Sequence, residues 1–250
     1  MKKNKQDILN QAIWFDKTNC EASFFAELQP QRQVSYHPRY KSGTFFSDKC
    51  KKDIQHESDL EKKFFIDKLE KDRKVLYYWE QPVKVPYWRG KIKTHTTPDV
   101  AIILKDLKVV IVEVKPLSGM LDYKVQMKVE GLLQFCANNG CGFLFTDGKE
   151  TLDKIRKVRC NRKLESHILK AVDGNILRKE ECKIIMDNCN ATQMELLKVI
   201  FKHGLKYRSF PFKLQEAKYK NDLFYQVFYE KKKYNSLIKE QFTTLFKYYD

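Results

Sequence analysis

Two acids and a lysine interrupt two apolar runs of this chain. Asp99 stands just before the run 100–104, and Glu113 and Lys115 lie at the end of the run that begins at residue 109. An unpaired charge is costly to bury, so these side chains require an exposed face or a ligand. Residues of these types suit phosphodiester hydrolysis. Carboxylates bind Mg²⁺ or Mn²⁺, the cation polarises a phosphate and activates water, and an amine orients or deprotonates that water.

The spacing of the two runs predicts that these three side chains meet. If residues 105–107 form a turn, the runs pair as an antiparallel hairpin with Asp99 opposite Glu113. Cross-strand neighbours are close enough to share a divalent cation. Strand alternation then puts Lys115 on the same face as Glu113. The alternative is a surface hairpin whose acids and lysine form exposed ion pairs of little energetic value.

The elements around this hairpin predict a mixed α/β core. Helical spacing of apolar residues predicts helices over 56–72 and 121–139, the second ended by Gly140. The stretch 75–88 predicts one or two strands bent at Pro82, and 142–147 predicts a buried strand parallel to the second hairpin strand. Residues 35–53 are polar and basic, and we interpret them as a loop or arm. The expected architecture is a mixed sheet flanked by helices.

The segments resemble a known nuclease family in their order and spacing. TPD at 97–99 followed by EVK at 113–115 resembles the PD-(D/E)xK nuclease signature. Preceded by SGTFFSDKCKKDIQHESDLEKKFF and VLYYWEQPVKVPY, the pattern is similar to the amino-terminal domain of TnsA-type endonucleases over residues 35–150. These are the subunits of heteromeric transposases that cut at a transposon end. The resemblance implies a restriction-endonuclease-like mixed β-sheet core flanked by helices.

The resemblance also assigns roles to particular residues. It implies that Asp99 and Glu113 bind the metal and that Lys115 is the catalytic lysine. Glu61 matches a further metal-binding acid on the preceding helix, with Glu57 as a weaker substitute. The alternative for Glu61 is a capping box with Ser58, in which the two residues cap each other's backbone amides.

A second group of residues comprises candidates for DNA contact. Their alternative role is that of a solvated polar surface. His95, beside the TPD motif, could bind phosphate or be exposed. The candidates are Arg39, Lys41, Lys49, Gln81, Lys124, Gln126 and Lys128, of which Gln126 could reach the metal shell.

Charge and composition favour a nucleic-acid partner. The net charge is +16, and residues 151–250 carry +10 of it. Such an excess favours an anionic partner, although a lysine-rich proteome is a second explanation. The seven cysteines contain no CxxC pair, which argues against a zinc site or a disulfide framework. No apolar run is long enough for a signal peptide or membrane span, so we expect a cytoplasmic protein.

From these observations we predict a domain order and a function. Residues 1–55 form an amino-terminal arm, 56–155 the nuclease domain, and 156–250 a mainly α-helical basic region that binds DNA or a partner. The resemblance implies a second domain of winged-helix type, which a helix at 193–203 fits, but 205–250 shows no wing pattern. We expect a Mg²⁺-dependent DNA endonuclease that works with transposase and ATPase regulator subunits. The alternatives are a phage head-completion, repair or defence nuclease, and a nuclease-fold DNA-binding protein without activity.

Overall fold

The computed structural model describes residues 7–15, 20, 24, 28–31, 41–217 and 223–234. The chain divides into two compact units. The first comprises Met1–Pro116 and Lys128–Glu150, and the second comprises Leu117–Met127 and Thr151–Asp250.

Strands and helices alternate along much of the chain. The strands are β1 Gly43–Ser47, β2 Lys52–His56, β3 Val75–Glu80, β4 Val85–Arg89, β5 Ile92–Thr96, β6 Val100–Leu104, β7 Val109–Val114, β8 Gly142–Thr146, β9 Ile176–Leu177, β10 Lys206–Arg208 and β11 Lys213–Gln215. The helices are α1 Asp59–Phe64, α2 Leu117–Met120, α3 Tyr123–Asn139, α4 Asp153–Arg156, α5 Arg162–Val172, α6 Lys179–Asn188, α7 Gln193–His203 and α8 Leu223–Phe228. A 3₁₀ turn lies at Ile8–Gln11, and α1 continues as a π-helical turn at Phe65–Leu69.

The first unit is built on a four-stranded mixed sheet of order β3-β6-β7-β8. β6 pairs antiparallel with β3 and β7, and β8 runs parallel to β7. This confirms the mixed α/β class, the hairpin, and the strand–helix–strand unit predicted for 109–147. β1 pairs with β2 and β4 with β5, each pair forming a separate two-stranded sheet.

The hairpin register is the predicted one. Val100 pairs with Val112 and Ile103 with Val109, so the next pair outward is Asp99 with Glu113. Leu107 closes the turn with a φ of 63°, and the backbone N–H of Leu104 donates to the carbonyl of Lys108. β7 is buried on both faces, so the short turn at 105–107 sets this register rather than an alternation of buried and exposed residues.

A hydrophobic core on one sheet face holds α1 and its π-helical extension. Phe64, Phe65 and Leu69 from the helix are buried with Tyr78 of β3 and Ile102 of β6. Burying a side chain of this size contributes about 1.5 to 3 kcal/mol. This packing fixes the start of α1, where Glu61 lies.

Two predictions for the first unit need correction. The stretch 35–53 was predicted to be a loop or arm, but its described residues contain β1 and the beginning of β2. Phe45 and Ile54 form a cross-strand pair there and pack in the core, which outweighs the polar composition. Strand β5 is absent from the sequence prediction, because its polar and basic residues do not show a buried-strand pattern.

The second unit combines helices with a small sheet of order β10-β11-β9. Its elements follow the order α5, β9, α6, α7, β10, β11. α7 is the helix predicted at 193–203, and it ends at Gly204 with a φ of 58°. The interpretation that 205–250 lacks a wing pattern is wrong, because β10 and β11 pair as an antiparallel hairpin there. These strands are only three residues long, too short for alternation to be visible in the sequence.

No helix in the described part of the chain combines the length and the apolar character that a membrane span needs.

Candidate active site

The start of β6 and the end of β7 bring the three predicted side chains together. The Nζ atom of Lys115 lies 3.2 Å from Oδ2 of Asp99 and 3.0 Å from Oε1 of Glu113. One ammonium group therefore lies between two carboxylates. The cross-strand pairing predicted from the spacing is confirmed, and so is the placement of Lys115 beside both acids.

Asp99 is held where regular strand pairing stops. β6 begins at Val100, and Pro98 has no backbone N–H with which to extend the ladder. The carboxylate takes over one of the ladder positions, since its Oδ2 atom accepts the backbone N–H of Val114 at 2.6 Å. The backbone N–H of Gln81 in turn donates to the carbonyl of Asp99 at 3.0 Å. The backbone on both sides of Asp99 thus fixes the position of its carboxylate.

Glu113 is the least satisfied acid of the group. Its side chain is 4% exposed, and Oε2 is buried without a hydrogen-bond partner among the described residues. Burial, and after it the charge of Asp99, raise the pKa of Glu113 to about 7 against the opposing charge of Lys115. A buried carboxylate oxygen with no donor is costly to the fold, and a bound cation would remove that cost.

Lys115 stays protonated in this arrangement. Burial lowers the pKa of its amine, but the charges of Asp99 and Glu113 outweigh burial and raise that pKa above its usual value. The backbone N–H of Lys115 donates to the carbonyl of Thr146 on β8, which fixes the lysine at the sheet end. The side chain can therefore donate hydrogen bonds, and in the absence of a cation it is a poor base.

Glu61 caps the helix, and its carboxylate also lies near Asp99. Its backbone N–H donates to Oγ of Ser58, and its carboxylate accepts from the Ser58 hydroxyl and from the backbone N–H of Glu57 at 2.8 Å. The helix cap is present, with the N–H of Glu57 in place of that of Ser58. Burial, and after it the neighbouring charge of Asp99, raise the pKa of Glu61 to about 7. Glu61 thus caps the helix and also lies within electrostatic reach of Asp99.

The remaining candidates in the first unit differ in position. Gln81 is buried, has a φ of 46°, and braces Asp99 through its backbone. Lys128 of α3 lies close enough to Glu113 to lower its pKa. Lys41 is exposed and pairs with Asp59 at 3.5 Å. Lys49 donates from Nζ to the carbonyls of Asp72 and Val75, which commits its ammonium group to the fold and leaves it poorly suited to DNA.

Three further candidates lie elsewhere. Lys124 and Gln126 belong to the second unit, where the backbone N–H of Lys124 donates to Oδ1 of Asp122 and the Gln126 amide donates to the carbonyl of Leu121. Arg39 falls outside the described residues.

The sequence analysis missed the backbone groups that hold the site. The N–H of Val114 binds the Asp99 carboxylate, and the carbonyl of Thr146 binds the backbone of Lys115. Every residue carries these groups, so side-chain identity gives no signal for them. Only the register of the sheet reveals them.

The residues fit a magnesium ion held by two carboxylates. Mg²⁺ is commonly bound through one or two carboxylates and keeps water and substrate phosphate as its other ligands. Asp99 and Glu113 supply such oxygens, and the unpartnered Oε2 of Glu113 supports this fit. Among the described residues, no three His, Cys, Asp or Glu side chains are grouped closely enough to form an all-protein metal cage. The fit is therefore to a cation that completes its coordination with water and phosphate.

A scan against protein-family models and a search of curated proteins both give no match for this chain. The resemblance to TnsA-type endonucleases therefore stays a prediction, and the function is inferred from the geometry of the site.

Proposed function

We propose that this protein is a Mg²⁺-dependent endonuclease that hydrolyses phosphodiester bonds in DNA. The observation that carries the proposal is the placement of the Lys115 ammonium 3.2 Å from Asp99 and 3.0 Å from Glu113, while one oxygen of Glu113 has no hydrogen-bond partner in the part of the chain that the structure describes. A purely structural ion pair has no need of a second, unsatisfied carboxylate. A binding module for DNA likewise gains nothing from buried acids that repel phosphate.

Asp99 and Glu113 would hold the cation, which supplies positive charge to a phosphate oxygen and lowers the pKa of a bound water. The protein's own contribution is to fix the two carboxylates before substrate arrives. Asp99 is fixed by the N–H of Val114, and Glu113 by its place in the fully buried strand β7. Preorganised charges of this kind need no rearrangement during the reaction.

Lys115 and Glu61 have complementary parts in this scheme. Because its pKa is raised, Lys115 acts as a hydrogen-bond donor that orients water or phosphate. Glu61 has a pKa raised to about 7, so near neutral pH it can exchange a proton with water. Of the two roles open to an amine at this position, orienting or deprotonating water, the raised pKa of Lys115 favours orienting.

Net charge supports DNA as the substrate. At +16 the chain attracts a polyanion through many phosphate contacts, and this attraction is independent of sequence. A protein that binds a small phosphate ester does not need such an excess.

Within this class we favour an end-cleaving subunit of a heteromeric transposase. The support is the order of the segments around the site together with the winged-helix arrangement of the second unit, which the resemblance to TnsA-type proteins implies. The ATPase regulator and transposase subunits would be its partners. A phage head-completion, repair or defence nuclease has the same catalytic residues, and an inactive DNA-binding protein is the alternative outside catalysis.

The experiment is cleavage of supercoiled plasmid with Mg²⁺, Mn²⁺ or EDTA, using wild type, Asp99→Asn and Lys115→Ala. We expect nicking or linearisation with either metal and none in EDTA. Each substitution should reduce the rate at least about 100-fold, because it removes a metal ligand or the orienting cation.

The matched control is Lys108→Ala, which removes a lysine that pairs with Asp106 in the turn of the same hairpin. It should cut at the wild-type rate. Activity that survives both Asp99→Asn and Lys115→Ala would place the site elsewhere. If no metal supports cutting, with or without the partner subunits, the protein is not an endonuclease.

A further inference from the structure

The β4–β5 ribbon, residues 85–96, is an unusually basic part of the first unit. Residues 83–96 contain Lys84, Arg89, Lys91, Lys93 and His95, and neither Asp nor Glu. A local excess of one sign creates a potential that attracts an anionic partner.

The ribbon has one buried and one exposed face. Val85 and Tyr87 are buried, while the alternating residue Trp88 is 62% exposed and lies opposite Lys93. On the same outer face His95 is exposed and lies opposite Pro86. An aromatic ring beside cations on an exposed surface suits a nucleic acid, whose phosphates and bases both find a complementary group there.

The tip of the ribbon is exposed on both faces, since Arg89 and Ile92 share the face of Tyr87 but are exposed. Arg89 pairs with Ile92 across the turn that Gly90 makes with a φ of 63°, and Lys91 completes the tip. Ile92 is 59% exposed. A two-stranded ribbon has the width that the major groove of DNA admits, whereas the minor groove is narrower.

The base of the ribbon is rigid. A Cβ atom added at Gly131 of α3 would lie 2.5 Å from Cβ of Tyr87, so helix and ribbon are in direct backbone contact at this point. Because only glycine permits that approach, the buried face of the ribbon is fixed against α3. A fixed base allows the ribbon to position a ligand, since its orientation does not have to be selected on binding.

Both ends of the ribbon lead to the candidate active site. β5 ends at Thr96, three residues before Asp99. β4 begins shortly after Gln81, whose backbone N–H donates to the carbonyl of Asp99 at 3.0 Å. The base of the ribbon is therefore continuous with the backbone that holds Asp99.

We propose that the β4–β5 ribbon is a positioning arm that lies in a groove of duplex DNA and holds the duplex next to Asp99. Arg89, Lys91 and Lys93 contact phosphates, and Trp88 contacts the sugar and base edges. The inference rests on the proposed function, because it takes DNA as the substrate of the adjoining site. It adds a surface that the catalytic signature does not include.

The test is binding of the full-length protein to a fluorescein-labelled duplex in EDTA, followed by anisotropy over a series of salt concentrations. The ribbon variant is the triple substitution Arg89→Ala, Lys91→Ala and Lys93→Ala. The matched control removes three exposed lysines of the same unit, Lys63→Ala, Lys71→Ala and Lys105→Ala. Both triples lower the net charge equally, so a difference between them reports position.

We expect the ribbon triple to weaken binding at least about tenfold and to reduce the slope of log affinity against log salt by roughly 2 to 3. The control triple should reduce the affinity and the salt slope by less. A ribbon triple that binds no more weakly than the control overturns the proposal. Trp88→Ala provides an independent measurement, since it should weaken binding without changing the salt slope, and wild-type affinity in this variant would contradict the role of the ring.

Plasmid cleavage in Mg²⁺, measured on the same proteins, separates this proposal from the proposed function. If wild type cuts and the ribbon triple binds as the control does, the positioning role of the ribbon is wrong and the endonuclease proposal is retained. If wild type never cuts but its duplex binding depends on the ribbon, the endonuclease proposal is wrong and the DNA-binding role of the ribbon is retained. Tm values for each variant show that these exposed substitutions leave the protein folded.

Discussion

Two glutamates, one in each unit, are mostly buried beside lysines and yet have opposite electrostatics. Glu113 in the first unit shares Lys115 with Asp99, and its pKa is raised to about 7. Glu165 in the second unit accepts from Lys202 at 2.7 Å, from His203 and from the Cys160 thiol at 3.1 Å. Burial alone would raise the pKa of Glu165, but these hydrogen bonds outweigh it and lower that pKa to about 2.

The difference lies in the number of donors for each carboxylate. Glu165 has three side-chain donors for its own two oxygens, so its charge is satisfied by the fold. Glu113 has one ammonium, shared with a second acid, and an oxygen with no partner in the described residues. A carboxylate with enough hydrogen-bond donors stabilises the folded protein. A buried carboxylate with too few donors is stabilised when a cation binds to it. This contrast distinguishes a structural ion pair from a candidate site where residue types alone do not.

The largest effect should come from removing the charge of Glu113. Glu113→Gln deletes a proposed metal ligand, so plasmid cleavage in Mg²⁺ should fall at least about 100-fold, or about 2.7 kcal/mol in activation free energy. The same change removes a buried charge, so the free energy of unfolding should stay the same or rise. Cleavage assays and urea denaturation measure the two quantities. A marked loss of stability with retained cleavage would mean that Glu113 is structural.

The reverse outcome is expected for Glu165. Glu165→Gln removes the acceptor charge from Lys202 and His203, so unfolding free energy should fall by about 1 to 3 kcal/mol. Cleavage per folded molecule should not change. The matched control is Glu180→Gln, an exposed acid on α6 of the same unit, which should alter stability by less than about 0.5 kcal/mol. Equal stability of the two variants would remove the contrast between the clusters.

The sequence predicted the site of the first cluster because local rules determine it. A hairpin with a short turn has few registers, so the pairing of Asp99 with Glu113 followed from the spacing of the two apolar runs. The parallel strand β8 and helix α3 followed from periodicity in the same way. None of this required knowledge of contacts between distant segments.

The second cluster could not be predicted, because its members come together only through tertiary packing. Glu165 lies on α5 and Lys202 and His203 at the end of α7, far apart in sequence and with no motif to connect them. The same limit applies to β1 and β2, where the core contacts of Phe45 and Ile54 override a polar local composition. Patterns within one element or across one hairpin were visible in the sequence, and partners from distant segments were not.

The two clusters should also respond oppositely to pH. The folded-state pKa values of Glu61 and Glu113 are raised to about 7, so their favourable contribution is fully present below pH 4.5 and is lost as the pH rises through 7. The contribution of Glu165, whose pKa is lowered to about 2, is present above pH 4.5 and is lost only as the pH falls towards 2.

Thermal denaturation between pH 4.5 and 8 measures this difference. Relative to Glu113→Gln, the wild type should lose on the order of 2 kcal/mol across this range in EDTA. Mg²⁺ at millimolar concentration should restore much of the loss above pH 7, because it binds the ionised carboxylates of the folded state. Parallel pH profiles for the two proteins would contradict the raised pKa. Glu165→Gln should differ from wild type by a constant amount over the same range.

The smallest effects should separate the two roles of Glu61. Ser58→Ala removes the helix cap but keeps the Glu61 charge, so unfolding free energy should fall by about 1 kcal/mol with cleavage unchanged. Glu61→Gln keeps an oxygen that can accept the N–H of Glu57 but removes the charge near Asp99. If Glu61 takes part in the chemistry, this variant should cut about tenfold more slowly at nearly wild-type stability. Since the two substitutions are three residues apart on one helix turn, each controls for the other. A Glu61→Gln protein that is less stable but fully active would assign Glu61 to the cap alone.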